Sequence, residues 1–172
     1  DKRYLEDLRA KGVDVVPTRW IGPGEDAGLD SEGSDPGIIV IKPAVSAGSR
    51  DSGRYDLGKP EERDLAVRHV ARLQTAGRVV MVQPYLSAID EEGETSIVFL
   101  GGVLSHAVRK APALTGPDEY ALPWDPDAPR GPALEAVEPA PAQIALAHRA
   151  LAAIPGDAGQ LLYARVDMVT GP

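Results

Sequence analysis

The sequence contains no cysteine, few aromatics and no long apolar run. The absence of cysteine excludes a disulfide framework, a thiolate zinc site and a cysteine nucleophile. Aromatics make up only 5% of the residues, so the core has to be built from Val, Leu, Ile and Ala, and a hydrophobic content of 43% allows for one. No stretch approaches the roughly 18 consecutive apolar residues that a membrane-spanning helix needs. Positive charge is in deficit, with 18 Lys and Arg against 26 Asp and Glu and a net charge of −8. That balance argues against nucleic acid as the main partner, because phosphate backbones recruit basic surfaces. It still leaves room for a polyphosphate in a local basic pocket. Neither a GxxxxGK[ST] loop nor a GxGxxG turn after a strand occurs, which removes the two commonest phosphate-binding fingerprints. With no signal peptide visible, a cytoplasmic location and no membrane partner are expected. The chain opens on Asp1-Lys2 without a methionine and stops at Thr170-Gly171-Pro172 in what reads as mid-strand, so a fragment of a longer protein is expected.

The most informative stretch is Gly37-Ile-Ile-Val-Ile-Lys42-Pro43 and the residues after it. Four β-branched residues in a row read as a buried strand ending in a lysine. A loop rich in Gly, Ser and Arg follows, from Ala44 to Tyr55, and includes Ser46 and Ser49. Small residues let backbone N–H groups approach an anion, and hydroxyls and guanidinium groups add donors. The stretch alone also fits a solvated lysine beside a mobile loop.

In chain order, Asp1 to Lys11 reads as a helix capped by Asp1 and ended by Gly12, and Val13 to Thr18 as a short strand. Residues 22 to 36 read as a loop. A helix starts at Lys59-Pro60-Glu61-Glu62 and stops at Gly77, with Leu65, His69, Val70 and Leu73 along one side, His69 being read as packing rather than ligand. Arg78 to Pro84 is an apolar strand that includes Gln83, and Ser87 to Gly93 an acidic linker. Thr95–Leu100 and Val103–Lys110 form a hairpin around Gly101-Gly102. Residues 111 to 141 hold eight of the sixteen prolines and keep no hydrophobic period, so they read as a long irregular loop. A helix over Ala142 to Ile154 and a strand over Gln160 to Val169 complete an α+β chain with antiparallel pairs.

Charged residues inside strands are the second signal. Arg165 and Asp167 are two apart, so they share one face of their strand while Val166 and Met168 take the other. Such a pair on an apolar strand is costly unless it is paired or used. Two readings fit, a salt-bridged rim pair, or a carboxylate for a divalent cation beside an arginine that offsets developing negative charge.

Taken in order, Asp1-Lys2, Ile-Val-Ile-Lys42-Pro, the Gly/Ser loop, Val-Gln83-Pro84-Tyr85-Leu86, Gly-Glu94-Thr-Ser, Val-Arg109-Lys110 and Ala-Arg165-Val-Asp167 resemble the ATP-grasp superfamily. The resemblance runs along essentially the whole chain and is nearest to the glutathione-synthetase-like branch and its O-ureido-serine cyclo-ligase type. It implies an ATP-grasp fold of two subdomains whose antiparallel sheets clamp the nucleotide, here a small one over 1–86 with the phosphate loop and a larger, incomplete one over 87–172. It implies that Lys2 and Lys42 bind the nucleotide and that the loop with Ser46 and Ser49 covers the phosphates. Gln83, Pro84, Tyr85 and Leu86 would read adenine, Glu94 the ribose hydroxyls, and Lys110 the γ-phosphate. Arg165 would be catalytic, and Asp167 would hold Mg2+, or Mn2+ in its place. The implied activity is an ATP-dependent carboxylate–amine ligase acting through an acyl-phosphate, either between molecules or within one, with an amino-acid-like small molecule as substrate. The rival is a nucleotide-binding regulatory module without chemistry. A homo-oligomer is implied by analogy. The chain departs from the pattern in two ways. It has no asparagine and no acidic metal ligand on a strand after Asp167, and the family's N-terminal substrate domain does not precede Lys2.

Overall fold

In the computed structural model, the described residues are 1–29, 37–114, 116–117, 133–156 and 158–171. They fall into two compact units. The first comprises Asp1–Lys2, Val16–Tyr85 and the described part of Ala113–Gly131, and the second comprises the rest.

The first unit is a four-stranded antiparallel sheet covered on one face by a helix. Strands β1 (Arg19–Ile21), β2 (Ile38–Pro43), β3 (Gly53–Asp56) and β4 (Val80–Pro84) lie in the order β1-β4-β2-β3. Helix α2 (Pro60–Thr75) begins at a proline, whose missing N–H costs nothing in the first turn, with Glu61 and Glu62 at the positive end of its dipole. It buries Ala66, Val70 and Leu73 against Ile41, Tyr55, Val80 and Val82 of the sheet. Alternation along β2 puts Val40 and Lys42 on the opposite face, opposite Gln83 and Met81 of β4.

The second unit holds β5 (Glu94–Leu100), β6 (Val103–Lys110), β7 (Leu134–Val137) and β8 (Tyr163–Met168), antiparallel in the order β7-β6-β5-β8. Gly101 and Gly102 both have positive φ, 56° and 78°, which a two-residue hairpin turn of this hand requires. Helix α4 (Pro141–Ala153) packs Ala147 and Leu151 on Ile97, Phe99, Ala107 and Met168. Its first turn is closed by the Gln143 side chain, which accepts from the Ala140 N–H at 2.9 Å. Helix α1 (Tyr4–Ala10) and Val13 lie along α4, with Leu8 and Val13 against Ala150 and Ala153.

Several expectations are corrected. Asp1 does not cap α1, which starts at Tyr4 after Arg3 with no side-chain cap. Val13 to Thr18 is not a strand. Val13 is used as a packing residue against α4, Pro17 has no N–H to donate to a ladder, and the strand begins at Arg19. The segment Ala44 to Tyr55 is not all loop, because Gly53 to Asp56 pairs with β2. The 87–93 linker contains a single helical turn, α3 (Ile89–Glu92). The proline-rich segment contains β7, whereas its residues 115 and 118–132 lie outside the described residues, as do 30–36 of the loop read over 22–36. The last strand runs over Tyr163–Met168 rather than Gln160 to Val169, and Gln160 ends a short 3-10 turn, Ala158–Gln160. Among the described residues no helix is long and apolar enough to cross a membrane.

Gly93 closes α3 with φ 71° and ψ −166°, a region open essentially only to glycine. A Cβ there would collide with the Lys110 carbonyl oxygen and lie 3.1 Å from Arg109 Cγ. Gly93→Ala is therefore expected to destabilise the second unit by about 1–3 kcal/mol. A urea midpoint equal to that of the unsubstituted protein would show that this turn relaxes freely.

Candidate functional site

In the first unit, the face of the sheet turned away from α2 carries Lys42, Gln83 and Arg54. Gln83 is buried and donates from Nε2 to Thr18 Oγ1 at 2.7 Å, which fixes its amide. Pro84 pairs with Ile39 at the end of β4, and the Tyr85 N–H donates to the Ile38 carbonyl at 2.8 Å, so the strand's course extends one residue further. Arg54 stacks on the Tyr85 ring with its guanidinium carbon 3.8 Å from the ring centroid.

The loop between β2 and β3, residues 44–52, is held by cations. Lys2 Nζ donates to Pro43 O at 3.3 Å, Ser46 O at 3.2 Å and Ser46 Oγ at 3.0 Å, and the Lys2 N–H donates to Ala44 O at 3.0 Å. Partial burial and the nearby Arg78 charge lower the Lys2 pKa. At the loop's far end, the Asp51 carboxylate accepts from Arg72 at 3.1 Å and Arg78 at 2.5 Å. Burial works to raise the Asp51 pKa, but the bonds from Arg78 and Arg72 outweigh it and leave it lowered. Ser49 is exposed and lies in the left-handed region with φ 55°, its carbonyl accepting from the Ser52 N–H at 3.0 Å.

In the second unit, the face of the sheet away from α4 carries a row of charged groups from three strands. Arg165 grips Asp167 with two parallel bonds, Nε to Oδ1 at 2.7 Å and Nη2 to Oδ2 at 2.8 Å. Ser96, buried on β5 opposite Asp167, donates Oγ–H to Oδ1 at 2.6 Å. Lys110 Nζ stands 3.4 Å from the same oxygen and 2.5 Å from Glu94 Oε1, its cross-strand partner. Burial works to raise the Asp167 pKa, but Arg165, Ser96 and Lys110 together outweigh it and hold the carboxyl below its usual value. The arginine is correspondingly stabilised in its charged form, chiefly by the bond to Asp167.

The structure thus brings Glu94, Lys110, Arg165 and Asp167 together, and separately Lys2 with Ser46. Lys42, Gln83, Pro84 and Tyr85 share one strand pair, and Leu86, in the second unit, accepts from the Ile89 N–H at 3.1 Å. Sequence reasoning missed Ser96, Asp51, Arg72, Arg78 and Thr18. Ser96 stood within the quoted Gly-Glu-Thr-Ser motif, but its role needs β8 beside β5. The described residues bring no three His, Asp or Glu side chains together as a metal-binding group. Both Asp167 oxygens are already bonded, so these residues alone do not fit a complete divalent-cation site.

No family model matches the sequence. The cycloserine biosynthesis protein DcsG of Streptomyces lavendulae is 43% identical over 123 residues, which is 69% of this chain and 40% of that protein. The crystal structure of D-cycloserine synthetase DcsG superposes with a TM-score of 0.80 at 35% identity, covering 99% of this chain and 57% of that one. D-alanine–D-alanine ligase from Bacillus anthracis, complexed with ATP, shares the fold with a TM-score of 0.61 at 19% identity, over 98% of this chain and 48% of the ligase. The chain therefore spans about half the length of the relatives it matches. The order of its strands, its motifs and these likenesses agree: the chain belongs to the ATP-grasp superfamily, near the cycloserine-type proteins.

Proposed function

We propose that the chain is the nucleotide-binding core of an ATP-dependent carboxylate–amine ligase whose substrate is an amino-acid derivative, ring closure within that molecule being the specific reaction. The observation that carries the reading is the row Glu94, Lys110, Asp167 and Arg165 on one sheet face. The named cycloserine relatives support the choice of substrate class.

A carboxylate oxygen attacks the γ-phosphorus, the bond to the bridging oxygen breaks, and ADP leaves. A nitrogen nucleophile then attacks the acyl carbon, inorganic phosphate departs, and the nitrogen's proton passes to solvent. Phosphoryl transfer of this kind asks for positioning and charge compensation more than for acid–base groups. Lys2, Lys42 and Lys110 supply cations for phosphate oxygens, with Ser46 and Ser49 as further donors from the loop. Arg165 donates to the charge that develops at the reacting acyl-phosphate. Glu94 accepts from ribose hydroxyls, and Gln83, Pro84, Tyr85 and Leu86 offer backbone groups and an aromatic edge to adenine. Asp167 orients Arg165 through its two-bond fork, and it would offer one carboxylate to a divalent cation, which would supply further charge compensation at the phosphates.

The test is calorimetric titration of the full-length protein with MgATP beside its Lys42→Ala variant. Loss of one charge-assisted contact should weaken binding by about tenfold or more. Equal affinity in the two proteins refutes the placement of the nucleotide. Product mass then separates ring closure of one substrate from condensation of two.

A further inference from the structure

Lys2, Arg72 and Arg78 form a cationic group that stands out in a protein of net charge −8. They come from three separate places, the chain's start, the last turn of α2 and the lead-in to β4. All three attach to the 44–52 loop, and the structure shows what they hold. Lys2 holds the Pro43 and Ser46 carbonyls and the Ser46 hydroxyl. Arg78 holds the Val45 carbonyl at 3.0 Å through Nη2 and Asp51 through Nη1. Arg72 holds the other Asp51 oxygen. Every one of these partners is an oxygen, and one of them is a full anion.

Asp51 sits with φ 57°, an uncommon backbone state for a residue with a side chain, and exposed Ser49 at φ 55° is in the same state. The conformation persists because the surroundings hold it. For Asp51 the holding groups are the two guanidinium groups. The loop is therefore tied down at its far end by one carboxylate between two arginines, while its near end rests on Lys2.

We propose that Asp51 is an intramolecular stand-in for phosphate that latches this loop onto Arg72 and Arg78, and that a polyphosphate takes over those cations and releases the latch. The chemical class of the ligand is an oligophosphate chain, whose closely spaced anionic oxygens can serve several cations at once. Arg72 and Arg78 thereby become binding residues beyond those the family pattern supplies. This rests on the nucleotide reading above and deepens it.

The latch gives Asp51→Asn an unusual sign. An ordinary structural residue, when removed, weakens ligand binding or leaves it unchanged. Here the loss of an internal competitor should strengthen it. Inorganic tripolyphosphate is the probe, titrated into the full-length protein and its variants by calorimetry at two salt concentrations. The expected result is binding about two- to fivefold tighter in Asp51→Asn, on the scale of one lost surface ion-pair competitor, and weaker in Arg78→Met. If MgATP does not bind the parent protein, the nucleotide reading falls and the release step with it. If MgATP binds but Asp51→Asn shows unchanged or weaker tripolyphosphate affinity, the latch alone is overturned. Unchanged affinity in Arg78→Met overturns it as well, and does so should Asp51→Asn fail to fold.

Discussion

Arg165→Ala is expected to lower turnover of the full-length protein in the proposed ligation by about 10²–10³, the scale seen when one preorganised donor to a developing oxyanion is removed. The argument starts from the strand. Arg165 and Asp167 lie two apart on β8, so their side chains leave the same face, and register places them beside Val98 and Ser96 of β5. The two-bond fork to Asp167 sets the guanidinium plane, and Ser96 and Lys110 fix Asp167 in turn. A donor already held in place does not have to reorganise as charge moves, and that is where its advantage over water lies. The loss should therefore fall on kcat, with the KM for ATP much less affected. Arg165→Lys retains a charge but not the planar fork, so it should recover only part of the rate. Near-parental kcat in the alanine variant would end the role proposed for this residue. A thermal melt accompanies the assay, because the substitution also strips the Asp167 carboxylate of its two-bond partner.

The same strand shows what the sequence could and could not convey. The run Ile38 to Ile41 is β-branched throughout, which favours a strand, so β2 was legible, although only Ile41 of the four is fully buried. The Gly101-Gly102 turn made the β5–β6 hairpin legible, and with it the opposition of Glu94 and Lys110. The meeting of Lys110 with Asp167, and of Ser96 with Asp167, spans 57 and 71 residues and depends on β8 docking beside β5. No local pattern encodes that choice of neighbour. The resemblance to ATP-grasp proteins brought these residues onto one list, but not their bonds to each other.

The elements that were misread have physical reasons too. Strand β3 hid because its inward positions are Gly53 and Tyr55, a glycine and an aromatic with a hydroxyl, between outward Arg54 and Asp56. Strand β7 hid because it is an edge strand with an exposed sequence, Leu-Glu-Ala-Val, among prolines. The valines at 13, 15 and 16 looked like a strand, but Val13 and Val15 pack in the cluster around α4 instead. The loop's anchoring was invisible for another reason. Asp51, Arg72 and Arg78 are common residue types on polar stretches, and only the folded chain reveals that one carboxylate serves two arginines.

Acidification offers the second large effect, in the first unit. His69 on α2 is fully enclosed, its Nδ1 is 2.9 Å from the Tyr55 hydroxyl, and the two rings lie 5.8 Å apart. Burial, followed by the charge of Arg72, lowers its pKa from 6.5 to about 4, against weaker opposing contributions from Asp51. Arg78 adds to the depression. The unfolded chain therefore takes up a proton near pH 6.5, whereas the folded chain resists until about pH 4. The stability contributed by neutral His69 is complete above pH 6.5, declines as pH falls through that window, and levels off below the folded value. The expected loss is about 2 kcal/mol by pH 5 and about 3 kcal/mol by pH 4. Carboxylates elsewhere titrate in the lower part of this range, so the measurement is a difference. Urea denaturation of the parent protein and of His69→Gln is followed from pH 7.5 to pH 5. Glutamine keeps a polar group for Tyr55 but takes up no proton, so the variant starts less stable and its curve should be the flatter of the two. Parallel curves would mean that His69 titrates alike in both states, and the closed Tyr55–His69 pair would then not be the acid-sensitive point of the α2 core.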